Sequence, residues 1–367
     1  MPTASERPHI VIIGTGIAGL TAAIKIGEGA DAMVRERRLP ARPDITMLEA
    51  DTVVGGRART EVLSNGLSVD AGPHWFHGGK ANRLYQWATG EKHYNLGDVS
   101  LDTGKRRVNL ASGGAMSADQ REWGLTRLFE MYSVWQSQNP GQDIALGQLA
   151  RMTGSAVIQK IADERAANWM AMDNADAVSA DEFWGDDAGS GGMQLAEGLE
   201  RLIDSMRADA EYYGADIQTR TPVRGIFAVA GTDRRRFQIL TDRKKIVADH
   251  VIVTPSVGVL KSNAITFDDY TRSQLDPILE GMESAKMTKI FLPLREAFFM
   301  DRDIAPDTFL TFYDDRHSWL FHLRTDGKPT VTVFASGALS ELVETMRPRE
   351  MQDELFALMD RIPLLKD

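Results

Sequence analysis

Gly14-Thr15-Gly16-Ile17-Ala18-Gly19 reads GxGxxG directly after the apolar run His9-Ile10-Val11-Ile12-Ile13. In that spacing the first glycine permits a tight turn, the second lets the backbone approach a pyrophosphate, and the third allows a helix to pack closely on the preceding strand. The anion rests on the positive end of the helix dipole. Gly14, Gly16, Ile17, Ala18 and Gly19 are therefore candidate nucleotide contacts. Glu49, closing a second strand-like run at 44–49, is placed with Ala50 to grip the ribose hydroxyls of an adenosine. The acid ordinarily follows about 20 residues after the motif, and Glu49 lies further away than that. The excess falls in 35–44, where two prolines and a string of charges read as a surface loop between helix and strand. Asp31 and Glu36 compete with Glu49 for the ribose.

The elements that must position these residues are a buried strand at 9–13, a helix at 17–26 and a strand at 44–49, a βαβ unit with a right-handed crossover. Residues 81–190 change character: amphipathic stretches at 121–136 and 156–172 predict a helical insertion. A helix at 198–213 and strands at 216–218, 225–229, 236–240 and 250–253 return the chain to a sheet. Further strands are expected at 289–294, 308–312, 319–323 and 330–334, and a last helix at 349–362. The fold class is α/β, a Rossmann-like dinucleotide-binding domain interleaved with an α+β domain. The expected division is 1–80 plus 191–265 for the first and 81–190 plus 266–367 for the second.

Composition narrows the partners. The 367 residues are 43% hydrophobic and 26% charged, enough for a sizeable core, and the formal net charge of -10 opposes a nucleic-acid partner. The basic clusters at 35–38, 234–236 and 243–245 read as solvated loop or hairpin tips. There is no cysteine, which excludes disulfides, thiolate nucleophiles and cysteine-ligated metals, and the seven histidines show no close metal-ligand spacing. No apolar run of about 18 residues would span a bilayer, so no membrane partner is expected. The polar N-terminus lacks the apolar stretch of a secretion signal, which points to the cytoplasm.

Beyond Glu49 come Gly55-Gly56-Arg57-Ala58-Arg59-Thr60 and then Val69-Asp70-Ala71-Gly72-Pro73-His74-Trp75-Phe76-His77-Gly78. With these the chain resembles the flavin-containing amine oxidase family, which includes monoamine and polyamine oxidases, histone lysine demethylases and L-amino-acid oxidases. The resemblance implies that Gly55, Gly56 and Arg57 meet the FAD pyrophosphate, a role suited to a guanidinium fork. It also implies that Gly72, Pro73, His74 and Trp75 lie along the cofactor. Three more segments match in order: Thr221 to Ile226, whose Val223 would bond the adenine through its backbone; His250 to Lys261, with Thr254 and Pro255 beside the cofactor; and Met287 to Leu292. The last makes Lys289 the leading catalytic candidate.

The resemblance further implies a two-domain flavoprotein of the GR2 type. Its reaction passes an amine hydride to flavin N5, giving an imine that hydrolyses to a carbonyl product. Lys289 would hold a water near N5, and burial would lower its pKa and suit it to relay protons. The segment at 73–78 is similar to the Trp-Ile-His-Gly type of polyamine oxidases and demethylases. His77 would then face the substrate channel, with a small-molecule amine as substrate. Asp181, Glu182, Asp186 and Asp187 are read as a solvated acidic loop or a channel mouth. The family's C-terminal FAD segment is expected near residue 350 and has no counterpart in 350–367. A complementing subunit, a truncated or processed product, or a non-catalytic flavin-binding partner would each account for that, and an apolar final helix bearing Leu355, Phe356, Leu358 and Met359 favours the complementing subunit. Three alternatives stay open: a non-catalytic flavin-binding or regulatory subunit, an L-amino-acid oxidase subunit, and a desaturase-like or porphyrinogen-type flavoprotein.

Overall fold

The structure is a computed structural model that describes residues 7–101, 106–110, 115–185, 192–229, 236–282, 284–300, 304, 308–313, 317–324 and 329–366. Among them, a four-stranded parallel sheet is ordered Ala215–Gln218, Asp44–Leu48, His9–Ile13, His250–Val253. Successive side chains of a strand face opposite ways, and this alternation builds three layers. Ile12 and Met47 point to the helices Ile17–Arg35 and Glu200–Tyr212, joining Leu20, Ile24, Leu202 and Met206 in one core. Val11, Ile13 and Leu48 point the other way, against Ile226, Ile239 and Ala248 on the three antiparallel strands of a mixed sheet. The first strand is thus buried on both sides, as its unbroken apolar run requires.

The helix after the glycine turn is longer than its apolar pattern suggests. It runs Ile17–Arg35 and buries Gly19, Leu20, Ala23, Ile24, Gly27 and Ala30 along one face. Gly27 interrupts the hydrophobic repeat, but the Tyr213 ring lies where its Cβ would be. Much of the long spacing to Glu49 is therefore helix, and only 36–43 is loop. Gly27→Val should destabilise the chain by about 1–3 kcal/mol through overpacking against Tyr213, read as a lowered midpoint in denaturant. An unchanged midpoint would mean that the two helices do not pack as described.

A six-stranded sheet is ordered Met287–Pro293, Thr330–Ser336, Ser318–Arg324, Thr308–Tyr313, Arg106–Leu110, Ala115–Met116. The strand Arg106–Leu110 lies within the stretch expected to be helical and pairs parallel with Thr308–Tyr313. One face of this sheet carries Leu292, Val331, Val333, Leu310, Phe312 and Phe321. It packs on the helices Ala338–Thr345 and Pro348–Met359 through Leu339, Val343, Leu355, Leu358 and Met359. The final helix thus finds cover within the chain, with Phe356 alone of the four expected apolar residues turned outward. This removes the physical reason for invoking a complementing subunit on its account.

The other face carries Lys289, Phe291, Phe334, Thr332, His322 and Phe309, opposite one another by register. The helix Ala156–Met170 packs against this sheet. Its Asn168 donates to Thr311 Oγ1 at 3.4 Å and to Glu164 at 3.0 Å. Glu164 is buried; desolvation opposes its charge, but Arg121 and Arg165 outweigh that and hold its carboxyl below the ordinary range.

Candidate active site

The glycine turn has the geometry its spacing implies. Gly14 has φ +96° and donates its N–H to Leu48 O at 2.8 Å. A Cβ on Gly19 would collide with Gly14 O, so only glycine lets the helix start this close to the strand. Thr254 buttresses the turn, its N and Oγ1 donating to Ile13 O at 3.0 and 2.7 Å, with Pro255 next in the chain. Gly16 is the N-cap of the 19-residue helix. No side chain caps that end and its first turn holds no acid, so the positive end of the dipole is left for an anion. Ala18, exposed, and Ile17, half-buried, open the helix there.

Glu49 is buried and aimed at this turn. Its Oε2 accepts from Thr15 N at 2.9 Å and Thr15 Oγ1 at 2.6 Å, and its Oε1 from Asp51 N at 2.9 Å. Thr221 donates to Glu49 O at 2.7 Å, bringing the strand that begins at Val223 to the same end of the sheet. The rival acids lie elsewhere. Asp31 is clamped by Arg42, which holds its carboxyl below the usual range, and Glu36 pairs with Arg38 on the surface.

Gly55 donates to Thr15 O at 3.0 Å and bridges to Gly16, while a Cβ on Gly56, at φ +59°, would lie 3.4 Å from Gly16 Cα. These glycines therefore press the second turn onto the first. Arg57 beside them is exposed and pairs with no carboxylate among the described residues, whereas its neighbour Arg59 is tied to Asp51. An uncapped helix end, close-packed glycine backbones and an unengaged guanidinium fit a dinucleotide pyrophosphate, and the buried carboxylate fits its ribose.

The backbone of Arg57 continues the site toward the lysine. A Cβ on Gly72 would strike Arg57 O, and Ala71 donates to Arg59 O at 2.9 Å, so 70–74 runs directly beside the pyrophosphate turn. Onto this segment reaches Lys289. Its Nζ bonds Asp70 O at 2.9 Å, His74 Nδ1 at 2.7 Å and Gly72 O. The ammonium also lies 5.5 Å from the centroid of the Phe334 ring. Burial pushes the Lys289 pKa down to about 8, against the opposing pull of Asp70. Two of its donors are taken by the backbone carbonyls of Asp70 and Gly72, and the direction of the bond to His74 Nδ1 follows the tautomer of the imidazole.

Trp75 packs against Phe334, Phe309 and His322, with ring centroids 5.7, 6.0 and 6.2 Å away. Its buried Nε1 meets no acceptor among the described residues. Gly192 is needed beneath it, because a Cβ there would come within 2.8 Å of the indole. The cleft beside Lys289 is lined by Asp70, His74, Gln194, Phe291, His322 and Thr332 among others. His77 is not one of them: it is exposed at the end of the short strand Phe76–His77, 6.1 Å from the Trp75 ring. Asp181 accepts from Tyr132 and Gln136, and Asp186 and Asp187 lie outside the described residues. Among the described residues no group of three or more His, Asp or Glu could hold a metal, and no helix is long and apolar enough to cross a membrane.

Sequence reasoning did not find Gln194, Phe291, His322, Thr332 or Phe334. The signal was available for Phe291, which shares the strand and the parity of Lys289. The others depend on how distant strands pair.

This is an α/β protein with a Rossmann-like fold, in which a separate six-stranded sheet delivers a half-buried lysine to the segment beside the glycine turns. The chain belongs to the family of flavin containing amine oxidoreductases, whose sequence profile matches residues 135–362; a profile for NAD(P)-binding Rossmann-like domains matches 12–89. It is 23% identical over 364 residues to a probable polyamine oxidase 4 of Arabidopsis thaliana, covering 93% of this chain and 68% of that one. Its fold is similar to that of a putrescine oxidase, at TM-score 0.73 and 14% identity, covering 98% of this chain and 82% of that chain. It is likewise similar to the cyclohexylamine oxidase of Brevibacterium oxydans, at TM-score 0.70 and 16% identity, covering 98% and 83%. Membership of a flavin-containing oxidoreductase family bears out the enzyme class and the Rossmann-like fold expected from the motifs.

Proposed function

We propose that the chain oxidises a small aliphatic amine with FAD as its cofactor. The observation that carries this reading is the placement of Lys289, a half-buried amine of lowered pKa, against the segment that continues from the glycine turns. Gly14, Gly16, Gly19, Gly55, Gly56 and Arg57 would hold the pyrophosphate, Glu49 and Ala50 the ribose, and Val223 the adenine. Thr254 and Pro255 would shape the turn. Residues 1–80 and 191–265 would form the cofactor unit, and 81–190 with 266–367 the substrate unit. When bound, flavin supplies the hydride acceptor that converts an amine to an imine, which water then hydrolyses.

The residues of the chain do the rest. The aromatic set around Trp75 excludes water and offers ring faces to a cationic substrate. An amine must be neutral to give up hydride, so its proton has to be taken up, and a neutral Lys289 can accept one at the single Nζ position not committed to a backbone carbonyl, the one facing His74. Similarity to polyamine and putrescine oxidases supports diamines and polyamines as the first substrates to try.

The reading is tested by releasing the cofactor to identify it as FAD, then adding putrescine, spermidine, acetylated polyamines, monoamines and amino acids anaerobically to the flavin-loaded protein. Bleaching of the flavin band by at least one amine is the expected result. Full FAD occupancy with no bleaching by any of them would sink the reading and favour a non-catalytic flavin-binding role.

A further inference from the structure

His74 belongs to the segment that runs along the cofactor cradle, yet its imidazole turns toward the lysine strand and comes within 2.7 Å of Lys289 Nζ. The other two partners of Nζ are the backbone carbonyls of Asp70 and Gly72. Carbonyls only accept, so two N–H bonds of Lys289 are committed in every protonation state. The third position, on the line to His74, is the only one whose proton can move. A charged lysine fills it with an N–H, and His74 Nδ1 must accept, with the ring proton on Nε2. A neutral lysine keeps its two donors on the carbonyls and turns its lone pair toward His74, and Nδ1 must then be the donor.

We infer that Lys289 and His74 form a proton-relay pair, in which the proton leaving Nζ crosses to Nδ1 while the proton on Nε2 departs from the far side of the ring. The balance is simple: one N–H bond breaks on the lysine, one forms at Nδ1, one breaks at Nε2, and a single proton leaves to water. The imidazole ends neutral, in the opposite tautomer. His74 acts through Lys289 and is a positioning and relay residue. Its ring is held in place, with the Trp75 ring centroid 3.5 Å away and Phe334 stacked at 5.7 Å. Two other titratable groups face the pair. The Asp70 carboxylate, on the segment beside it, accepts at Oδ1 from Thr60 Oγ1 and Leu199 N, and its charge favours the protonated lysine. His322, two strands across the sheet from Lys289, is stacked on Phe309 at 4.1 Å. The rest of the lining, Gln194, Phe291 and Thr332 among it, is uncharged. The relay rests on the reading of Lys289 as a group that gains and loses a proton in the reaction.

The test is a histidine 15N titration of the flavin-loaded chain by long-range 1H–15N correlation from pH 6 to 10. The chain has seven histidines, so His74 is assigned by the signal missing in His74→Asn. The expected result is a ring that stays neutral and exchanges the Nε2–H tautomer for the Nδ1–H tautomer across the pH at which Lys289 discharges. In Lys289→Met that exchange should vanish. An imidazole in the native chain that becomes doubly protonated within this range, or keeps one tautomer throughout, overturns the relay. His74→Asn, which can bond Nζ but cannot pass a proton on, should slow flavin reduction about tenfold or more, short of the roughly 10²–10⁴-fold of a group that exchanges the proton directly. It should also flatten the pH profile, with the amine concentration for half-saturation unchanged; a slowed reduction with the native profile also overturns the relay. The spectroscopic result needs no turnover. Tautomer exchange without reduction by any amine would overturn amine oxidation and leave the relay standing, while reduction without exchange would overturn the relay alone.

Discussion

Lys289→Met in the flavin-loaded chain should slow anaerobic flavin reduction by the amine substrate by about 10²–10⁴-fold, the usual worth of a positioned acid–base group. The fold should survive the change. Methionine follows the same unbranched path through the cleft, and it removes a charge whose burial is unfavourable. The sign follows from the direction of the shift. A lysine whose folded pKa falls from 10.5 to about 8 binds fewer protons folded than unfolded between those values, so its cost to stability is greatest below pH 8 and fades as pH rises toward 10.5. The methionine variant should therefore be at least as stable as the native chain at neutral pH as far as this charge is concerned, less what the lost bonds to Asp70 O and Gly72 O contributed. In the native chain the reduction rate should climb as pH passes about 8, where Lys289 becomes able to accept a proton, and that inflection should be missing from the variant. Stopped-flow reduction across pH 6.5–9.5 reads both. An unchanged rate, or an unchanged inflection in the variant, would take Lys289 out of the chemistry.

The cradle was far more legible in the sequence than the cleft, for a physical reason. A dinucleotide turn is a local object: Gly14, Gly16 and Gly19 do their work within one strand–helix junction, and Glu49 ends the next strand. Spacing along the chain is thus nearly spacing in space. The contacts of Lys289 are non-local. Its partners come from 70–74, and its neighbours on the sheet face, Phe334, Thr332 and His322, are set by the register of three strands. Nothing in the sequence declares that register. The parity of Lys289 and Phe291 could be read, but whether that parity faced the cleft or the C-terminal helices could not. Arg106–Leu110 escaped notice because a five-residue run is weak evidence for a strand, and its partner Thr308–Tyr313 lies some two hundred residues on. The helix Ile17–Arg35 was cut short for the opposite reason. Gly27 looks like a breaker along the chain, and the Tyr213 ring that occupies its missing side chain comes from the end of another helix. His77 was drawn toward the substrate by its motif alone; its neighbour His74, three residues earlier, is the imidazole that meets the lysine.

Glu49→Gln should weaken FAD binding by about 10–100-fold, the equivalent of about one or two charge-assisted hydrogen bonds. The carboxylate stands at the junction of three strands and the glycine turn, held by Thr15 and Asp51 through donors alone. Glutamine has the same shape, but one of its two ends is an NH₂ that must face an N–H or O–H. The turn loses a bond and gains a donor–donor clash, while the ribose hydroxyls lose a charged acceptor. Those two effects separate by ligand. A titration of the apoprotein with FAD and with FMN, followed by flavin fluorescence, should show a loss for FAD that FMN does not share, because FMN carries no adenosine for Glu49 to hold. Equal losses would mean that Glu49 only braces the loop. Asp31→Asn and Glu36→Gln provide the control, since Arg42 and Arg38 already occupy those carboxylates; both should bind FAD as the native chain does. If instead Asp31→Asn costs as much as Glu49→Gln, the ribose is gripped from the helix rather than from the end of the second strand, and the adenosine lies in the reverse sense across the sheet.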